Sequence, residues 1–201
     1  MGIADRKARE FKRREEEIIQ AAFDLFAEHG IDSVTIDMIA EKAEVGKGTI
    51  YKHFTSKNEI FATLIIRQGN ELLEKLSMIS EDDPILVQMK KAMRIFWEMS
   101  KDLRAFAVYR KCDQFLVLDD VSPDVMAQFD RQKSLKNQYI RSLIQKAVDE
   151  QIFRDGDIDN FVAASMGLYY GVFDNILQGE VEPSDELYNL IENMIFKGFI
   201  R

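Results

Sequence analysis

The 201-residue chain has one cysteine, three prolines, two histidines and one tryptophan. A lone thiol, Cys112, can close no disulfide within the chain and cannot by itself build a thiolate metal site, so the composition fits a reducing compartment. Three prolines and ten glycines are too few to punctuate the many turns of a β-sandwich, and they favour helices. No stretch approaches the roughly 18 apolar residues of a membrane span. The opening MGIADRKAREFKRREEE has no apolar run behind its charges and reads as neither a secretory signal nor, with Arg6 where Ser or Thr is required, a myristoylation site. The expected location is cytoplasmic, with no membrane partner. There is no HExxH, no glycine-rich phosphate loop behind a strand and no Ser-His-Asp pattern. Neither catalysis nor a metal or cofactor is therefore expected.

Hydrophobic residues make up 46% of the chain and charged residues 31%, an ordinary balance for a globular protein, and the formal net charge is −8. The apolar pattern is helical almost throughout. In REEEIIQAAFDLFAEHG, Ile18, Ile19, Ala22, Phe23 and Phe26 recur at three and four residues, and Gly30 follows the last turn. Thr35 is placed as an N-cap for a short helix carrying Ile36, Ile39, Ala40 and Ala43. Gly46 interrupts, and Ile50 and Phe54 restart the pattern at i, i+4. Two short helices joined by a Glu-Val-Gly turn, with Val45 plugging the angle, outline a helix-turn-helix. Ser56 and Glu59 match a capping box that launches a helix to about Lys75. Further helices are expected over 84–101, 103–118, 123–152, 157–177 and from Ser184 to the C-terminus, with Asp83 and Ser122 as N-caps before Pro84 and Pro123. The fold class is all-α: an N-terminal three-helix bundle with a helix-turn-helix, followed by a larger helical domain. The expected domains are residues 1–56 and 57–201.

One segment stands against the acidic whole. In AEVGKGTIYKHFTSK, Lys47, Lys52, His53 and Lys57 face a single acid, Glu44. With Ile50 and Phe54 turned inward, the second helix presents Lys47, Gly48, Thr49, Tyr51, Lys52 and His53 outward. Gly48 costs that helix about 1 kcal/mol relative to Ala, which makes sense where another surface must approach the backbone. Thr and Lys can reach base edges or phosphate, and Tyr and His can hydrogen-bond phosphate. Lys57 at the next helix start would favour an anion beside the free N–H groups. The N-terminal tail carries Arg6, Lys7, Arg9, Lys12, Arg13 and Arg14 against Asp5 and Glu10, a basic arm able to follow a DNA backbone or enter a minor groove. Negative charge elsewhere repels DNA from the wrong faces.

These residues carry a resemblance. VTIDMIAEKAEVGKGTIYKHFTSKNEIF resembles the N-terminal signature of the TetR family of transcriptional regulators over roughly residues 13–61. It departs from the family pattern at Glu44, where Gly is common, and at Gly46, where Ser or Ala is usual. The resemblance implies an all-helical homodimer of about nine helices that binds a double-stranded, palindromic operator. It makes Thr35, Lys47, Gly48, Thr49, Tyr51, Lys52, His53 and Lys57 the candidate DNA contacts.

No ligand motif carries over to the second domain, which is read from its own residues. A Met- and aromatic-rich face with Met93, Phe96, Trp97, Phe106, Tyr109 and Phe115, closed by Tyr169, Tyr170 and Phe173, suits a small hydrophobic or aromatic ligand. The small residues Gly167 and Gly171, with Leu187, Ile191 and Met194, suit a four-helix dimer interface. The expected function is a repressor released from its operator by that ligand. The rival is a DNA-bound regulatory or recruiting factor with a filled core and no inducer.

Overall fold

Every element forms where local periodicity meets a usable terminus. The structure is a computed structural model and describes residues 2–115 and 120–200, the side chains of residues 3, 109 and 111–115 excepted. Among the described residues there are nine helices: α1 (Ile3–His29), α2 (Ile36–Lys42), α3 (Lys47–His53), α4 (Lys57–Ser77), α5 (Ile85–Ser100), α6 (Leu103–Phe115), α7 (Pro123–Asp149), α8 (Ile158–Leu177) and α9 (Asp185–Phe199). The described residues hold no strand; a single antiparallel bridge links Phe153 and Ile200.

The caps explain the boundaries. Thr35 Oγ1 accepts from Met38 N at 3.3 Å and Ser184 Oγ from Leu187 N at 3.1 Å, while Asp157 accepts from Asp159 N and Asn160 N. Several boundaries differ from expectation: α7 ends at Asp149 rather than at 152, and two further differences have a local cause. Pro84 is the N-cap of α5 rather than its first helical residue, because Asp83 is engaged elsewhere: its carboxylate accepts from Lys91 and its carbonyl from Gln88, both at 2.6 Å. The basic N-terminal tail is part of α1 and not a loose arm. Ala, Arg, Lys and Glu are strong helix formers, and pairs such as Arg14–Glu17 at 2.8 Å add local support.

The chain divides into two compact units that interleave in sequence. One comprises residues 1–68 and 104–131, the other 69–103 and 132–201. This differs from the linear division at residues 56 and 57: α4 changes unit after Gln68 and α7 after Arg131. In the first unit, Ile18, Ala22, Phe26, Ile39, Ile50 and Ile60 form the buried core. Each of these isoleucines and Phe26 contributes about 1.5–3 kcal/mol by leaving water, and Ala22 less. In the second unit, Ile85, Ile144, Phe153, Phe161, Phe196 and Phe199 make one cluster, and Leu72, Leu76 and Ala92 another.

Candidate nucleic-acid interface and ligand cavity

The helix-turn-helix is built from α2, its turn and α3. Ile39 and Ile50 are fully buried and fix the two helices on α1, with Val45 packed against the same core. The turn requires a left-handed residue, and Glu44 supplies it at φ 52°. Val45 N then donates to Ala40 O at 2.9 Å and closes the turn. Gly46 has an ordinary φ of −73° and caps α3 with no side-chain hydrogen bond.

The expected contact residues divide into an outward set and an inward set. Thr35, Lys47, Gly48, Tyr51 and Lys52 are exposed and Thr49 is half-buried. A Cβ on Gly48 would meet nothing within 4 Å, so no part of this chain explains its missing side chain. The Lys47 ammonium pairs with Asp37 at 2.9 Å, and that hydrogen bond raises its pKa. Lys57 turns inward: its Nζ donates to Ile31 O at 2.6 Å and Val34 O at 2.8 Å, clasping the α1–α2 loop. Its charge serves the chain's own carbonyls in place of the anion expected from sequence. His53 also departs from the outward position expected. Its ring stacks on Phe11 with centroids 3.9 Å apart, and its Nδ1 is buried without a hydrogen-bond partner. Burial pushes the imidazole pKa down, Glu15 opposes this, and Arg14 and Lys52 lower it further.

Two features of this unit escaped the sequence reading. The first is Phe11, an aromatic among charges that lies seven residues before Ile18 and so on the same face of α1. That spacing was the available signal. The second is a buried carboxylate, Glu59, 5% exposed. Only half of the expected capping box forms: Glu59 N donates to Ser56 Oγ at 3.0 Å, while the Glu59 carboxylate accepts from Thr55 N at 2.5 Å and from the Thr55 and Ser122 hydroxyls. Burial pushes this carboxyl up, but the hydrogen bonds from Ser122 and Thr55 outweigh it and hold it below the ordinary value. Ser56 Oγ donates to Asp120 O at 2.5 Å beside it. Ser122 is 63 residues from Glu59 in sequence, so no local pattern announces the pairing.

In the second unit a cavity of about 100 Å³ lies among α5, α7, α8 and α9. Of the nine residues expected to line a pocket, Met93, Phe96 and Tyr169 do. Trp97 and Phe173 are packed solid, in ring contact with each other, and Trp97 also meets Tyr188. Phe106 is buried in the first unit. Tyr170 packs on Tyr169 with centroids 5.8 Å apart and does not line the cavity. The side chains of Tyr109, Phe115 and Cys112 lie outside the described residues. Tyr139, Ile140, Leu143 and Ile144 of α7 line the cavity and were missed; they sit on a helix whose charged residues masked its apolar face.

The expected dimer residues divide similarly. Gly167 and Gly171 are exposed, with open space where a Cβ would stand. Met194 is 54% exposed and Leu190 56%, and Leu187 is half-buried. Ile191 is 1% exposed and belongs to the chain's own core, because the inward face of α9 takes Tyr188, Ile191 and Phe196.

The description "Bacterial regulatory proteins, tetR family" belongs to a family model that matches residues 18–64. The chain is 25% identical over 150 residues to the HTH-type transcriptional regulator RutR of Escherichia coli K12, covering 73% of this chain and 71% of that one. It is 31% identical over 118 residues to the "Probable acrEF/envCD operon repressor" of the same strain, covering 55% and 54%. The fold is that of a TetR family transcription regulator from Marinobacter aquaeolei VT8, with a TM-score of 0.73 at 14% identity over 97% of this chain and 98% of the other. Among the described residues, no helix is long and apolar enough to cross a membrane, and no group of three His, Cys, Asp or Glu could hold a metal.

Proposed function

We propose that this chain, whose residues 18–64 match the model of the bacterial regulatory proteins of the tetR family, is a repressor of that family whose α3 reads a near-palindromic operator as half of a homodimer. Gly48 carries the reading: a glycine inside a seven-residue helix, with open space above it, flanked by half-buried Thr49 and exposed Tyr51 and Lys52. A duplex can come close to that backbone, Lys52 and Tyr51 can reach phosphate or base edges, and Thr35 and Lys47 can hold flanking phosphates. Lys47 would exchange Asp37 for phosphate at little cost, since exposed ion pairs are worth about 0–1 kcal/mol. Lys57 and His53 act one step back, holding the α1–α2 loop and the end of α3 in place.

The exposed α8–α9 face, with Gly167, Gly171, Leu190 and Met194, is the proposed dimer surface. Two heads on a two-fold axis match two half-sites about 34–36 Å apart or a multiple of it. The cavity is the proposed inducer site. Helices α4 and α7 each contribute to both units, so a ligand that favours a different disposition of these helices would misplace the heads. The cavity also favours this reading over a recruiting factor with a filled core. A library of random duplexes presented to the purified protein tests the proposal. An enriched inverted repeat supports it, and a pool that stays random after repeated rounds refutes it.

A further inference from the structure

Helix α3 has seven residues, and its N-cap, Gly46, offers it no side-chain hydrogen bond. A helix this short is marginal by itself, so its direction is set by what holds its two ends. At the front, Val45 packs on the core of the first unit. At the back, the chain leaves α3 through Phe54, which is extended, and passes Thr55 and Ser56 before α4 begins. Those two residues are held by a segment more than sixty positions away, in the same unit. Glu59 Oε2 accepts from Thr55 N at 2.5 Å and from the Thr55 hydroxyl, while its Oε1 accepts from the Ser122 hydroxyl. Ser56 Oγ donates to Asp120 O at 2.5 Å. Residues 120–123 thereby dock on the corner between α3 and α4, and they line one groove with Tyr51 of α3.

The bridge is an expensive way to hold a corner. The Glu59 carboxylate is withdrawn from water, and Asp120 keeps a left-handed backbone at φ 61°. Both are unfavourable unless their neighbours compensate. What the bridge supplies in return is direction. Hydrogen bonds fix both a distance and an angle, whereas apolar side chains can slide past one another. We propose that Ser122 is a positioning residue for operator reading: through Glu59 and Thr55 it fixes the C-terminal end of α3, and with it Tyr51 and Lys52, so that the start of α7 sets how well α3 reads. This inference rests on the reading of α3 as the operator helix. Withdrawing the start of α7 would release α3 without removing any of its own side chains from the duplex.

Three full-length proteins are compared at a temperature where circular dichroism shows all of them folded: wild type, Ser122→Ala and Ile65→Val. The last trims a buried core position of the same unit and controls for lost stability alone. Affinity is measured by anisotropy for the enriched inverted repeat and for a scrambled duplex. Ser122→Ala is expected to bind the repeat about tenfold more weakly and the scrambled duplex within about twofold of wild type. Ile65→Val should leave both affinities in place. Amide exchange is read on the same proteins without DNA. Ser122→Ala should speed exchange from Tyr51 to Phe54 about tenfold, and exchange at Ile39 and Ala40 of α2 much less. Undiminished affinity of Ser122→Ala for the repeat would overturn the inference, and so would an equal loss in Ile65→Val. A wild type with no preference for any repeat refutes the repressor reading instead. Exchange then decides the inference: a selective rise at the end of α3 upholds the hold on that helix, and unchanged exchange overturns it.

Discussion

Glu44 carries a left-handed backbone, φ 52°, at the turn between α2 and α3. A side chain there crowds the following carbonyl at a cost of roughly 1–2 kcal/mol. Glycine would relieve that cost but would also enlarge the unfolded ensemble by about 0.4–1 kcal/mol. Glu44→Gly is therefore expected to raise stability by about 0.5–1 kcal/mol, seen as a higher urea midpoint with an unchanged slope. His53, half-buried and stacked on Phe11, should titrate below its ordinary 6.5 in an NMR titration of the folded chain. Its folded pKa is lower than its unfolded one, so its contribution to stability is present above about pH 6.5 and is lost as pH falls through the folded value. Lys52 is exposed on α3, and replacing it with Ala should lower the salt slope of operator binding by about one.

At the scale of elements, the first unit is tied together by the Glu59 carboxylate, which joins the start of α4 to the loop before α7. Ser122→Ala removes one charge-assisted donor and should cost about 1–2 kcal/mol in denaturant unfolding at pH 7. The folded pKa of Glu59 is depressed, so its contribution is present above about pH 4.5 and fades as pH drops through the lower folded value. Ser122→Ala should therefore cost less at pH 3.5 than at pH 7. These pairings mark where sequence reading ends. The helices were legible because apolar spacing and caps are local: Thr35, Asp157 and Ser184 each cap within three residues. The outward face of α3 was legible for the same reason, since Ile50 and Phe54 face inward and leave Gly48, Tyr51 and Lys52 outside. Lys57 was misread because its partners, Ile31 O and Val34 O, belong to a loop that only folding brings near. Trp97 was misread because a large aromatic fills a core as well as it lines a cavity, and the distinction rests on neighbours such as Phe173 and Tyr188.

For the whole molecule, the proposed function depends on two heads held at one spacing. A charge on the exposed α9 face should undo this: Leu190→Glu with Met194→Glu is expected to yield monomers in light scattering and to weaken operator binding at least tenfold, leaving helical content unchanged. The central claim is that α3 reads sequence, and fluorescence anisotropy on the enriched inverted repeat, with a scrambled duplex of equal length as competitor, tests it most directly. The account predicts at least 1,000-fold preference for the repeat at physiological salt, falling sharply in Tyr51→Ala while the affinity for scrambled duplex changes little. Equal affinity of the wild-type protein for both duplexes, or a preference that Tyr51→Ala and Lys52→Ala leave intact, would contradict it.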